Sequence, residues 1–168
     1  GWHIECSAMI KAVLGDHIDI HTGGIDHIPV HHTNEIAQSE STCDDGKRFV
    51  NFWMHVNFLN ADKGKMSKSS GDFLRLETLK EKNINPLAYR YLLLMTHYRK
   101  EIKFSFESLE AAENAYNKLL KQVEKIKGET VEILSDAGEK YLEKFVSAMN
   151  DDLNTSIALA TIWSILGD

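Results

Sequence analysis

Lys65-Met66-Ser67-Lys68-Ser69 lies between Gly64 and Gly71 and follows an apolar run over residues 49–59. Two ammonium groups three residues apart act as point charges on a polyphosphate, and hydroxyls with glycine-freed backbone N–H groups donate hydrogen bonds to it. The same composition also suits a solvated surface turn, so the loop has to be read with its surroundings. Just before it, Phe52, Met54, Val56 and Phe58 fall on even positions, which predicts a largely buried strand over residues 49–59.

Further upstream, Ile4, Ala8, Met9, Ala12 and Val13 recur near helical spacing over residues 4–14, with Gly15 as a stop. Residues 18–21 read as a short strand, and Thr22-Gly23-Gly24 as the turn that follows it. Ligand sites collect at such strand ends. After Pro29, residues 31–40 read as a helix in which His31 and Glu35 are four positions apart and share one face. An imidazole and a carboxylate joined by the Cys6 thiolate would supply three of the four ligands zinc usually takes. On spacing alone, His31 and Glu35 can equally be an exposed helix pair and Cys6 a small apolar side chain on its helix.

The 168 residues are 43% hydrophobic, enough for one sizeable domain or two small ones. A net charge of −6 argues against a generally basic nucleic-acid coat while leaving room for a local basic track. With Cys6 and Cys43 the only cysteines, no disulfide framework is expected. No run of about eighteen apolar residues and no charged-then-apolar leader is readable, so the expectation is a cytoplasmic protein with no membrane partner. The first residue is Gly1, which suggests that the sequence begins inside a longer protein.

Beyond the loop, Phe73, Leu74, Leu76 and Leu79 begin a helical region, and Pro86 suits a first helical turn with Leu87, Tyr91, Leu94 and Met95 as its apolar face. Residues 109–126 read as one amphipathic helix that buries Leu109, Ala112, Ala115, Tyr116, Leu119, Leu120, Val123 and Ile126, and Gly128 ends it. Lys118, Lys121, Lys125 and Lys127 in its later half can meet RNA phosphate or complement the helix dipole. Another helix is expected over residues 136–149, with Asn154 or Thr155 capping the next.

Three strings in order, GWHIECSAM (residues 1–9), HHTNEIAQSE (31–40) and KMSKS (65–69), resemble the motifs of cysteinyl-tRNA synthetases, which are class I aminoacyl-tRNA synthetases. Tyr98-Arg99 and the segment 150–155 resemble weaker family signatures. The resemblance implies an α/β fold: the C-terminal part of a Rossmann-like class I catalytic domain over residues 1–72, a stem-contact helical junction over 73–104 and an α-helical tRNA-binding bundle over 105–168. It implies zinc held by Cys6, His31 and Glu35 together with a cysteine from the N-terminal part of the family pattern, a position that this sequence does not include and that Cys43 does not match. Trp2 would close over the small substrate side chain and His21 would lie near the metal, although each can also be ordinary packing. Lys65, Ser67, Lys68 and Ser69 would bind ATP, supplied with Mg2+, and Lys65 and Lys68 would be the catalytic charges. Cysteine and ATP would give cysteinyl-adenylate, and tRNA(Cys) would take the acyl group. The family's HIGH motif is absent, so these residues alone are expected to be inactive, and the protein is expected to be a monomer. At His27-Ile28-Pro29-Val30 the sequence departs from the family pattern, in which proline directly precedes the two histidines. Two alternatives stay open: a cysteine ligase of mycothiol synthesis, and a non-catalytic zinc- or RNA-binding module.

Overall fold

The computed structural model describes residues 2–43, 45–61, 75–128 and 135–167. The loop from Lys65 to Ser69 lies outside the described residues. The chain folds as two compact units, Gly1–Phe58 and Leu59–Asp168.

The first unit is a β-α-β arrangement preceded by a helix. Helix α1 (His3–Leu14) has no internal glycine or proline and ends where Gly15, at φ 97°, donates its N–H to the Ile10 carbonyl. Strand β1 (Ile18–Gly24) pairs in parallel with β2 (Val50–Val56), placing His21 opposite Trp53 and Gly23 opposite His55. A parallel pair needs a crossover. Here it consists of a 3-10 turn (Ile25–His27), a π turn (Ile28–His32) and helix α2 (Thr33–Glu40). Pro29 stands in the first turn of the π segment, where its missing N–H costs no bond.

Thr22-Gly23-Gly24 does not form the expected turn, because β1 runs through all three residues. The glycines serve close approach instead. A Cβ on Gly23 would sit 2.6 Å from Cε1 of the buried His32 ring, and one on Gly24 would displace the exposed Asp26 carboxylate. The strand expected at residues 49–59 is also corrected: it breaks after Val56, and Phe52, Val56 and Phe58 are exposed, Phe52 by 68%. The period of two is present but the opposite face is the occupied one. Odd-position Trp53 and His55 pack on the histidines of β1 and the π turn, while on the even face Val50 is buried and Phe52 and Val56 are exposed.

In the second unit, β3 (Leu59–Ala61) pairs in parallel with β4 (Ile102–Phe104). Around them stand α3 (Leu76–Glu81), α4 (Pro86–Leu94), α5 (Phe106–Ile126), α6 (Asp136–Asn150) and α7 (Thr155–Ile165). Local sequence sets their starts. The Asn85 side chain accepts the Leu87 N–H, Ser105 and Ser108 form a reciprocal capping box, and Asn154 accepts the Ile157 N–H. Leu79, Ala88, Tyr91, Leu92, Phe104, Leu109 and Ala112 make the core.

That core corrects two expected faces. In α4 the buried residues are Ala88, Tyr91 and Leu92, whereas Leu87, Leu94 and Met95 are exposed. In α5 the apolar stripe is buried only at its start, and Leu120, Val123 and Ile126 are exposed. Periodicity gives the stripe, but the number of turns that find a partner depends on where α4 lies against α5. No helix among the described residues is long and apolar enough to cross a membrane.

Candidate metal centre

Cys6 of α1, His31 of the π turn and Glu35 of α2 present ligand atoms that all lie within 4.8 Å of one another. The i, i+4 spacing survives the change from π to α winding, with His31 Nε2 3.0 Å from Glu35 Oε1. Ser7, one residue after Cys6, donates to the Gln38 side chain at 3.1 Å and so holds α1 against α2 near the cluster.

Glu35 is fully buried, and its Oε1 is a buried oxygen on which no donor is aligned. Its other oxygen, Oε2, is 2.7 Å from His21 Nε2. An unmatched carboxylate oxygen in such a place costs on the order of 1–3 kcal/mol or more. His31 Nδ1 is 2.9 Å from His3 Nδ1, and a proton in that contact belongs to one of the two rings. When His31 donates, its Nε2 turns a lone pair toward Glu35 Oε1, so the Cys6 thiol proton is the one left among the three converging ligand atoms. Burial, followed by the facing Glu35 carboxylate, pushes the Cys6 thiol above its ordinary value. A cation would reverse both effects by pairing the orphan oxygen and favouring the thiolate. The donor set suits zinc.

Around this cluster stands a ring of histidines. His32 is buried, with Nδ1 2.8 Å from His55 Nε2 and its ring against Trp53. Burial, then the neighbouring His21, pushes His32 down to about 4, so it is neutral at ordinary pH. His27 stacks on the same ring. Sequence reading gave His3 and His32 little weight and passed over His27, Trp53 and His55. The signal that could have found the last two is the alternation Trp53, His55 on the strand expected over residues 49–59.

Of the expected site residues, Cys6, His21, His31 and Glu35 come together. Trp2 stands at the start of α1 and is 75% exposed. Lys65, Ser67, Lys68 and Ser69 lie outside the described residues.

A family model described as the tRNA synthetases class I (C) catalytic domain matches residues 1–114. The chain belongs to this family. Among curated relatives it is 47% identical to a cysteine–tRNA ligase of Novosphingobium aromaticivorans, covering 99% of this chain and 36% of the relative. It is 44% identical to the cysteine–tRNA ligase of Treponema denticola, over 96% of this chain and 37% of that protein. A cysteine–tRNA ligase 1 of Burkholderia lata is 47% identical over 99% of this chain and 34% of its own length. The chain therefore spans about a third of the curated relatives it matches. Among solved structures, the LeuRS of Agrobacterium radiobacter K84 in a ternary LeuRS-tRNA-LeuAMS complex superposes with a TM-score of 0.71 at 15% identity. That match covers 89% of this chain and 22% of the LeuRS. It supports the class I synthetase fold expected from the sequence, an α/β portion followed by helices.

Proposed function

We propose that this chain is the amino-acid-selecting and phosphate-holding part of a cysteine–tRNA ligase, which uses ATP and Mg2+ to join cysteine to tRNA(Cys) through cysteinyl-adenylate. The observation that carries this reading is the convergence of Cys6, His31 and the orphaned Glu35 Oε1 on one point, in a chain whose relatives bear that name. Cys6, His31 and Glu35 would hold zinc, and Trp2 would stand over the substrate side chain. Bound zinc supplies selectivity for a thiol over a hydroxyl of the same size, which shape alone separates poorly.

The chain's own residues then have defined tasks. Glu35 brings charge without bulk and is fixed by His21 through its second oxygen. His3, with its Nδ1 2.9 Å from His31 Nδ1, orients the His31 ring. Lys65 and Lys68 stabilise the charge that develops on the ATP phosphates, and Ser67 and Ser69 donate hydrogen bonds to them. No covalent enzyme nucleophile is required; positioning and charge stabilisation carry the in-line displacement. The helices from residue 73 onward would meet tRNA, those at 73–104 at the stem and those at 105–168 as a bundle. A monomer working in the cytoplasm completes the reading.

The test is Glu35→Gln in the full protein, with zinc content and cysteine-dependent pyrophosphate exchange measured together. Zinc retention should fall and KM for cysteine should rise. Unchanged zinc with an unchanged KM rejects the assignment. In parallel, Lys68→Ala should lower kcat of exchange with little effect on KM for cysteine, because the two contacts act on different substrates.

A further inference from the structure

His17, Cys43 and Asp45 form another group of ligating side chains, separate from the centre above. His17 stands between α1 and β1, and Cys43 and Asp45 stand in the connection from α2 to β2. His17 Nε2 is 2.9 Å from Asp45 Oδ2 and 3.8 Å from Cys43 Sγ, and Cys43 Sγ is 3.5 Å from Asp45 Oδ1. His17 Nδ1 is 2.8 Å from the Arg48 carbonyl oxygen. A carbonyl only accepts, so Nδ1 carries a proton; Nε2 donates to the Asp45 carboxylate when the ring is charged, and a metal ion would take the place of that proton.

We propose that His17, Cys43 and Asp45 are a second divalent-metal site of the zinc class, which ties the α2–β2 connection to the segment leading into β1. Three observations carry it. The ligand types are nitrogen, sulfur and oxygen, the mixture a borderline-soft ion accepts. The spacing is close as well: with bonds of about 2.0–2.3 Å, a tetrahedral ion holds its ligand atoms about 3.3–3.5 Å apart, and here His17 Nε2, Cys43 Sγ and one Asp45 carboxylate oxygen lie within 4.8 Å of one another, with Nε2 to Sγ at 3.8 Å. Finally, the Arg48 carbonyl provides the outer hydrogen bond that metal-bound histidines almost always make.

The fourth position faces solvent, since His17 and Cys43 are half-buried and Asp45 is exposed. Lys47 Nζ is 3.3 Å from Asp45 Oδ2 and is the competing cation. Its side chain is mostly exposed, so it can leave for water at little cost. Asp45 follows Cys43 by two residues, and His17 is 26 residues before Cys43. One ion would thus close a loop that contains β1, the crossover and α2. Such a clip would hold the strand that carries His21 and the helix that carries Glu35 without touching either.

The experiment is zinc protection of Cys43 in the unmutated protein, read by mass spectrometry of the Cys43 peptide after timed alkylation with iodoacetamide. Micromolar zinc should slow modification of Cys43 at least about tenfold, and His17→Gln and Asp45→Asn should each abolish that protection while zinc protection of Cys6 persists. Equilibrium dialysis should show one equivalent of zinc fewer in Cys43→Ser than in wild type. Equal alkylation rates of Cys43 with and without zinc overturn the proposal. So does protection that survives both His17→Gln and Asp45→Asn. The Cys6 peptide reports the first centre in the same sample, so failure there is read separately.

Discussion

His21 Nε2 and Glu35 Oε2 are 2.7 Å apart, joining the middle of β1 to the first turn of α2 across a fully buried carboxylate. The contact leaves Oε1 free to face Cys6 and His31. A carboxylate held in this way enters a metal centre with its orientation already fixed. His21→Ala should therefore lower zinc affinity by about 10- to 100-fold while the secondary structure is kept. Zinc competition with a chromophoric chelator reads the affinity, and circular dichroism reads the fold. An affinity equal to wild type would show that Glu35 needs no such support.

Gly23 tests the histidine ring from the other side. The Cβ of Gly23→Ala would lie 2.6 Å from Cε1 and 2.9 Å from Nε2 of His32, and His32 is buried against Trp53 and His55. The ring has to move, and it cannot do so without disturbing its bond to His55. Overpacking of this kind costs about 1–3 kcal/mol. Urea unfolding followed by tryptophan fluorescence should show a lower midpoint, and the midpoint shift multiplied by the m-value should equal that cost; a wild-type midpoint would mean that the ring yields freely.

Leu109 is the corresponding probe of the second unit. It is 0% exposed and packs in the cluster of Leu79, Ala88, Tyr91, Leu92, Phe104 and Ala112. Leu109→Ala removes three heavy atoms from a place with little room to collapse, for a cost of about 2–5 kcal/mol. Denaturant unfolding measures it. Zinc bound at Cys6, His31 and Glu35 should be unaffected in the folded protein, because those ligands all lie in Gly1–Phe58.

How much of this was legible beforehand depended on the range of the forces involved. Helices α1, α5 and α6, and the Asn154 cap, are local events, and spacing with capping chemistry located them to within a few residues. His31 and Glu35 are four residues apart, so their meeting was readable too. What failed was non-local. Gly23 and Gly24 look like a turn until the ring of His32, nine residues after Gly23, is known to lie on the strand. Phe52 looks buried until the covered face of β2 proves to be that of Trp53 and His55. The second cluster was missed for a related reason. Cys43 sits in a polar turn that reads as solvent-facing, and only the parallel pairing of β1 with β2 brings His17 beside it.

Asp152 carries the last prediction. It accepts hydrogen bonds from the Arg99 guanidinium and the Tyr98 hydroxyl, tying the segment after α4 to the turn between α6 and α7. The Arg99 hydrogen bond first, then that of Tyr98, holds the Asp152 carboxyl down at about 2, against an ordinary value of 3.8. Because the folded value lies below the unfolded one, the stabilisation is complete above about pH 4 and is lost as pH falls through about 2. Asp152→Asn keeps the shape and tolerates the left-handed backbone at φ 53°, but it removes the charge. The variant should melt below wild type at pH 7, and the gap should close between pH 4 and pH 2 as the wild-type carboxylate takes up its proton. Thermal melts of both proteins across that range measure the gap. A difference in Tm that stays constant from pH 6 to pH 2 would show that the charge of Asp152 contributes nothing to holding the helices together.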